Sequence, residues 1–241
     1  MPAGTGFVIA PNVVATACHV LDYFRDAASD PDKVIDSLWV KIDFGEKKIA
    51  DHEFLITGIV GRGSLKGQDY ALLSVASQSE DAQASLPAPL QPSSQPQVGK
   101  FLGVVGYPDM ESAASACQRH DSTCDETAQW FSNYVQKNPG VAKIISPGSK
   151  TGQFSRGAFQ IFTYDAPTLG GQSGSPVVDL ETGMVVGIHY CCTGYAARTE
   201  SLSCAQITPI SLGDKSSNEA ISIKDVNLNP NVSPAVVASL R

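Results

Sequence analysis

A chain of 241 residues with 42% hydrophobic and 17% charged side chains has an ordinary globular composition, enough for one large all-β domain or two small ones. A formal charge of -7 leaves no basic surplus to displace counterions from phosphates, which argues against a nucleic-acid partner. No apolar run reaches the roughly 20 residues needed to span a bilayer, so no membrane partner is expected.

The first stretch, MPAGTGFVIAPNVVATACHV, carries no Lys or Arg ahead of its apolar part and is interrupted by Pro11-Asn12. It reads as strand, turn, strand and makes a poor signal peptide. Short β-branched runs then recur at 7–9, 13–16, 38–44, 54–60, 70–76, 101–105, 142–145, 158–164, 176–179, 184–190 and 205–210. Most are separated by Gly, Pro, Asn or Ser, the pattern of a β-sandwich or barrel. Residues 77–98, rich in Ser, Gln, Ala and Pro, read as an extended connection between two halves. Residues 111–138 contrast with this. Asp125-Glu126 precede Trp130, Phe131, Tyr134 and Val135, a spacing that gives one apolar face behind an acidic first turn, so an insertion with one short helix is expected. The last residues, 211–241, have turn signals at Asn229-Pro230 and Ser233-Pro234 and room for a final helix at 234–240.

The stretch TLGGQSGSPVVD, residues 168–179, poses the functional question. Glycine, serine and proline are common in plain turns. A serine hydroxyl becomes a nucleophile only when a base takes its proton and a buried carboxylate orients that base. Four histidines are available. His52 lies in a charged stretch and reads as surface, and His120 lies in the insertion. His189 follows the serine loop on the run GMVVGI, while His19 ends the strand VVATACHV. Asp69 in QDYALLSV precedes apolar residues, where an unpaired carboxylate would be costly. His19, Asp69 and Ser173 stand in the order His, Asp, Ser, a known order for this chemistry.

Taken together, ATACHV, DYALL and GGQSGSP resemble the trypsin-like, chymotrypsin-fold serine endopeptidases. GTGFVI, VVGYP and YDAPTLGGQSGSPVVD with GMVVGIHY are similar to the bacterial glutamyl endopeptidase branch. The resemblance implies an all-β fold of two antiparallel six-stranded barrels. Residues 1–95 would carry His19 and Asp69, residues 96–215 would carry Ser173, and 216–241 would form an extension. It implies His19 as base, Asp69 as its orienter and Ser173 as nucleophile, with the Gly171 and Ser173 N–H groups as oxyanion donors. Thr168 and His189 are the implied substrate-binding residues, and both can donate hydrogen bonds to a P1 glutamate carboxylate. Gln172 stands where trypsin-type zymogens carry an Asp, so the oxyanion loop must be ordered by other contacts than an ion pair with a new N-terminus.

No cofactor or metal is expected, and a monomer acting on protein or peptide substrates is. Cys117, His120 and Cys124 have metal-like spacing but no evident fourth ligand, and a small disulfide loop is the commoner outcome. Cys192 and Cys204 are suited to staple a loop beside the pocket, and Cys18 is either a bridge to Cys191 or a small buried thiol. Six cysteines point to an oxidising, extracellular setting although no signal peptide is evident; an exported protein would carry its leader upstream of this sequence. Two other readings stay open: an HtrA-type protease, and a protease-fold binding protein that has lost turnover.

Overall fold

The computed structural model describes residues 4–21, 24, 41–45, 52–63, 68–93, 96–118, 126–138, 140–157, 159–192 and 218–228. Chain order begins with β1 (Phe7–Ala10), β2 (Val13–Thr16) and a single helical turn, α1 (Cys18–Leu21). Asn12 takes a left-handed φ of 59° after Pro11, which makes the tight β1–β2 turn that this dipeptide favours. Then come β3 (Lys41–Asp43), β4 (Glu53–Arg62) and β5 (Ala71–Val75). These five form one antiparallel sheet in the order β1-β2-β5-β4-β3.

The second unit holds β6 (Phe101–Gly106), β7 (Ile144–Arg156), β8 (Phe159–Tyr164), β9 (Pro176–Asp179), β10 (Val185–Cys192) and β11 (Asn218–Ser222). It closes as a six-stranded barrel in the order β10-β11-β8-β7-β6-β9. Helices α2 (Met110–Gln118) and α3 (Glu126–Lys137) follow β6, and α4 (Ile223–Leu228) follows β11.

Strand alternation distributes side chains between separate cores. On β1, Phe7 and Ile9 face the core shared by the two units, while Val8 joins the first unit's own core. On β5, Leu72 takes the shared side and Leu73 the other. From the second unit, Ile161, Ile188, Tyr190 and Ile221 meet β1 and β5 in the shared core. Leu102, Val104, Phe162, Tyr164 and Val177 fill the barrel itself. The connection at 77–98 crosses between the units as its composition suggests. Leu90 N–H donates to the Val8 carbonyl (2.9 Å), and three residues later Ser93 N–H donates to Val185 (2.8 Å).

The mostly-β, two-unit architecture matches the fold read from the sequence, with three differences in detail. Among the described residues the first unit is a five-stranded open sheet rather than a six-stranded barrel. The insertion has two helices, not one: Phe131 is fully buried with Met110, Ala128 and Ile144, while Trp130 stays 39% exposed and stacks on Tyr134. The stretch from 216, expected to be an extension, supplies β11, which pairs with both β10 and β8 and closes the barrel. The expected strand at 205–210 and helix at 234–240 lie outside the described residues.

Candidate active site

Only Ala17 separates the end of β2 from the start of α1, and this places His19 close to the strand end. Asp69 sits two residues before β5, the neighbour of β2 in the sheet, and is 3% exposed. Both of its oxygens are used by one residue. Oδ1 accepts the His19 backbone N–H (2.8 Å), and Oδ2 faces His19 Nδ1 (2.7 Å). A carboxylate against Nδ1 holds the proton there and leaves Nε2 free to accept one. The two-point grip also fixes the direction of the ring.

Ser173 lies in the loop between β8 and β9, which is pinned from several sides. Gly174 N–H donates to the His189 carbonyl (2.7 Å), and His189 N–H donates back to Ser175 (2.9 Å). Thr5 N–H donates to the Ser173 carbonyl (2.8 Å). Gly171 and Gly174 have φ of 85° and 90°, a region that L side chains rarely adopt. A Cβ on Gly174 would lie 2.9 Å from the Ala17 nitrogen, which puts the serine loop against the chain two residues before His19. The Ser173 hydroxyl has no hydrogen-bond partner among the described residues; the structure joins His19 to Asp69 directly, and the serine loop approaches that pair at Gly174, against Ala17. A bond between nucleophile and base is often long in the absence of substrate.

The two backbone donors expected in this loop are uncommitted. Among the described residues neither Gly171 N–H nor Ser173 N–H has an acceptor, although Gln172 N–H donates to Leu169 (3.3 Å) and Ser175 N–H to Gln172 (2.9 Å). Gln172 is fully buried. Its Oε1 accepts Leu169 N–H (2.9 Å) and its Nε2 reaches Ser146 Oγ (3.5 Å). A neutral amide therefore takes the inner position of the loop.

Thr168, in the loop after β8, and His189, on β10, are both tied into the second unit by side-chain hydrogen bonds. Thr168 Oγ1 donates to Asn218 Oδ1 (2.6 Å), and Asn218 Nδ2 donates to the Ala166 carbonyl. His189 is 3% exposed, with Tyr164 OH 2.6 Å from its Nδ1. Its pKa is pushed down to about 3, chiefly by burial and also by nearby His19, against the opposing effect of a backbone hydrogen bond with Glu219. His189 is therefore a neutral imidazole. Sequence reasoning missed Asn218 and Glu219, both on β11. Glu219 is 4% exposed and accepts from Arg156 Nη2 (3.2 Å) and from the Tyr190 hydroxyl. The available signal was the short run NEAISI, obscured by the glutamate at its second position.

His52 is on the surface, as read, with Asp81 3.0 Å from its Nδ1. Cys18 is a buried thiol, the second of its two readings; its Sγ lies 3.6 Å from the Gly63 carbonyl. His120, Cys124 and Cys204 lie outside the described residues.

The model of the trypsin-like peptidase domain matches residues 4–188, from before β1 into β10. The chain belongs to the trypsin-like peptidases. As a member of that family it is a serine-type endopeptidase, a hydrolase that acts on proteins or peptides. No curated protein sequence matches this peptidase. Among solved structures it is similar to an inactive mutant of Rv3671c from M. tuberculosis H37Rv, at 20% identity and TM-score 0.51, over 92% of this chain and 77% of that one. It is similar also to a Glu endopeptidase in complex with MPD, at 14% identity and TM-score 0.52, over 98% of this chain and 83% of that one. At these identities the likeness is one of fold.

Proposed function

We propose that the peptidase works through His19, Asp69 and Ser173 and an acyl-enzyme. His19 Nε2 takes the proton of Ser173 Oγ as that oxygen attacks the scissile carbonyl, and returns it to the leaving amine. Asp69 holds the imidazole and stabilises its protonated form. Gly171 and Ser173 N–H groups receive the negative oxygen. Water then releases the acyl group. The observation that carries this reading is the double contact of Asp69 with His19, which orients a base with one nitrogen left to accept. The two uncommitted N–H groups support it.

For the residue preceding the cut we propose glutamate. Thr168 and His189 support this through their match to the glutamyl endopeptidase pattern, and no Asp stands at 168 to attract Lys or Arg. Because His189 is neutral, a glutamate would be held by hydrogen bonds without a resident positive charge from that residue. Its margin over glutamine would be modest. We further propose export. The support is the count of six cysteines, enough for three disulfides of the kind that oxidising compartments preserve.

A fluorophosphonate probe followed by peptide mapping tests the assignment, with a mixed peptide pool incubated in parallel. The wild-type protein should carry the label on Ser173 alone and cut after Glu, and Ser173→Ala should do neither. A folded wild-type protein that takes no label would overturn the proposed triad; label with cuts after other residues would overturn only the glutamate preference.

A further inference from the structure

The loop that presents Gly171 and Ser173 is a run of four peptide planes, and each is held by a separate hydrogen bond. The Gly170 carbonyl accepts Asp109 N–H (2.7 Å), and the Gln172 carbonyl accepts Ser175 N–H (2.9 Å). These two bonds hold the planes that carry the Gly171 and Ser173 N–H groups. The alternate planes are held by one residue from the other unit. Thr5 Oγ1 donates to the Gly171 carbonyl (2.8 Å), and Thr5 N–H donates to the Ser173 carbonyl (2.8 Å).

Thr5 is itself held in place. It is 4% exposed, its hydroxyl accepts Tyr107 N–H (3.1 Å), and its carbonyl accepts Thr16 Oγ1 (2.7 Å). Apart from the Thr5 hydroxyl, the plane after Gly171 has only the long 3.3 Å bond from Gln172 N–H to Leu169. Gly171 has φ of 85° and no Cβ to restrict rotation of that plane. Of the four planes this one depends most on a side chain.

We propose that Thr5 is a positioning residue for the oxyanion loop: its hydroxyl and N–H together keep the Gly171 and Ser173 donors aimed at one point. This inference rests on the catalytic reading above and adds to it a device for keeping the loop formed. With Gln172 in place of an acidic residue, the loop must be ordered by contacts other than an ion pair. Thr5 supplies one set, and because it lies just before β1 it ties the nucleophile's unit to the unit that carries His19 and Asp69.

The test compares Thr5→Val, which keeps the β-branch and removes the hydroxyl, with Thr5→Ser, which keeps the hydroxyl and removes the methyl. In Thr5→Val a methyl would stand where Oγ1 lies 2.8 Å from the Gly171 carbonyl, closer than carbon and oxygen pack, so Thr5→Ala, which removes the hydroxyl and adds no contact, is measured beside it. Loss of a whole oxyanion donor typically costs ~10²–10³ in rate, so freeing one plane should lower kcat about ten-fold or more with KM little changed. Affinity for a peptide boronate, whose adduct on Ser173 occupies the same point, should fall by a similar factor. Thr5→Ser should stay within about three-fold of wild type on both measures, since a hydrogen bond and not packing is at issue. Thermal melting monitors folding, and Thr5→Ala carries the comparison alone if the valine variant does not fold. Equal kcat and boronate affinity in wild type and the hydroxyl-less variant would overturn the proposal, as would a serine variant as impaired as the valine one. A wild type that never reacts at Ser173 overturns the catalytic reading itself, and this proposal with it.

Discussion

Asp69 has no oxygen to spare: one serves the His19 backbone and the other its ring. Asparagine at that position keeps an acceptor for the backbone N–H but presents an NH₂ group to Nδ1. The proton would then move to Nε2, where it blocks the acceptor that Ser173 needs. Asp69→Asn should therefore fold with near-native melting while kcat falls by roughly 10⁴, measured with any peptide the wild type cleaves. His19 and Asp69 were both legible in the sequence, because a strand end and an apolar flank are local features. Their bond was not, since it joins positions 50 residues apart. Thr5 was less visible still. As the middle residue of Gly-Thr-Gly it looks like a loop residue, and its partner Gly171 is 166 positions away.

At the scale of elements, the serine loop tolerates very little side chain. Besides its left-handed φ, a Cβ on Gly174 would stand 2.1 Å from the Thr5 carbonyl oxygen and 2.3 Å from Thr16 Oγ1. Neither neighbour is a free end: the two are hydrogen-bonded to each other. Gly174→Ala should push the two units apart at this seam and lower stability by about 2 kcal/mol or more, read by denaturant unfolding, in addition to losing activity. β11 shows the opposite balance between sequence and structure. Asn218–Ser222 is buried throughout, yet its run mixes Asn, Glu, Ala, Ile and Ser and has the look of a polar tail. Alternation cannot identify such a strand, because Glu219 is admitted to the interior only by Arg156 and Tyr190, which come from β7 and β10. The α3 helix falls between the two cases. Its aromatic spacing announced a helix, but which aromatic is buried was settled by the partner surface of Met110 and Ile144.

The molecule as a whole carries an acid-sensitive group in His189. Its pKa is about 3 in the folded protein against 6.5 in an unconstrained chain. Below pH 6.5 the unfolded chain takes up a proton that the folded one refuses, so the group's contribution to stability is lost as pH falls from about 6.5 towards 3. Above pH 6.5 it has no effect. Each tenfold change in proton affinity is worth about 1.4 kcal/mol, so the loss is of the order of a few kcal/mol. Urea unfolding across that pH range should show a flatter slope for His189→Gln than for the wild type, and identical slopes would mean that His189 does not resist protonation. The same imidazole bonds with Tyr164 from β8 and lies below the serine loop, so acid unfolding and loss of the active site should coincide.

What the sequence determined by itself was the local part: alternating strands, the turn at Pro11-Asn12, the polar connection, and three short motifs in an order that suits one chemistry. Each depends on residues within a few positions of one another, where backbone preference and side-chain period act directly. Only the tertiary structure decided that residues 218–222 close a barrel, that Asn218 caps Thr168, that Glu219 is buried, and that Thr5 bonds to the Gly171 carbonyl. A buried polar group must find its partner wherever barrel closure and strand register deliver one. That partner is set by the geometry of the whole chain and leaves no trace in the residues alongside.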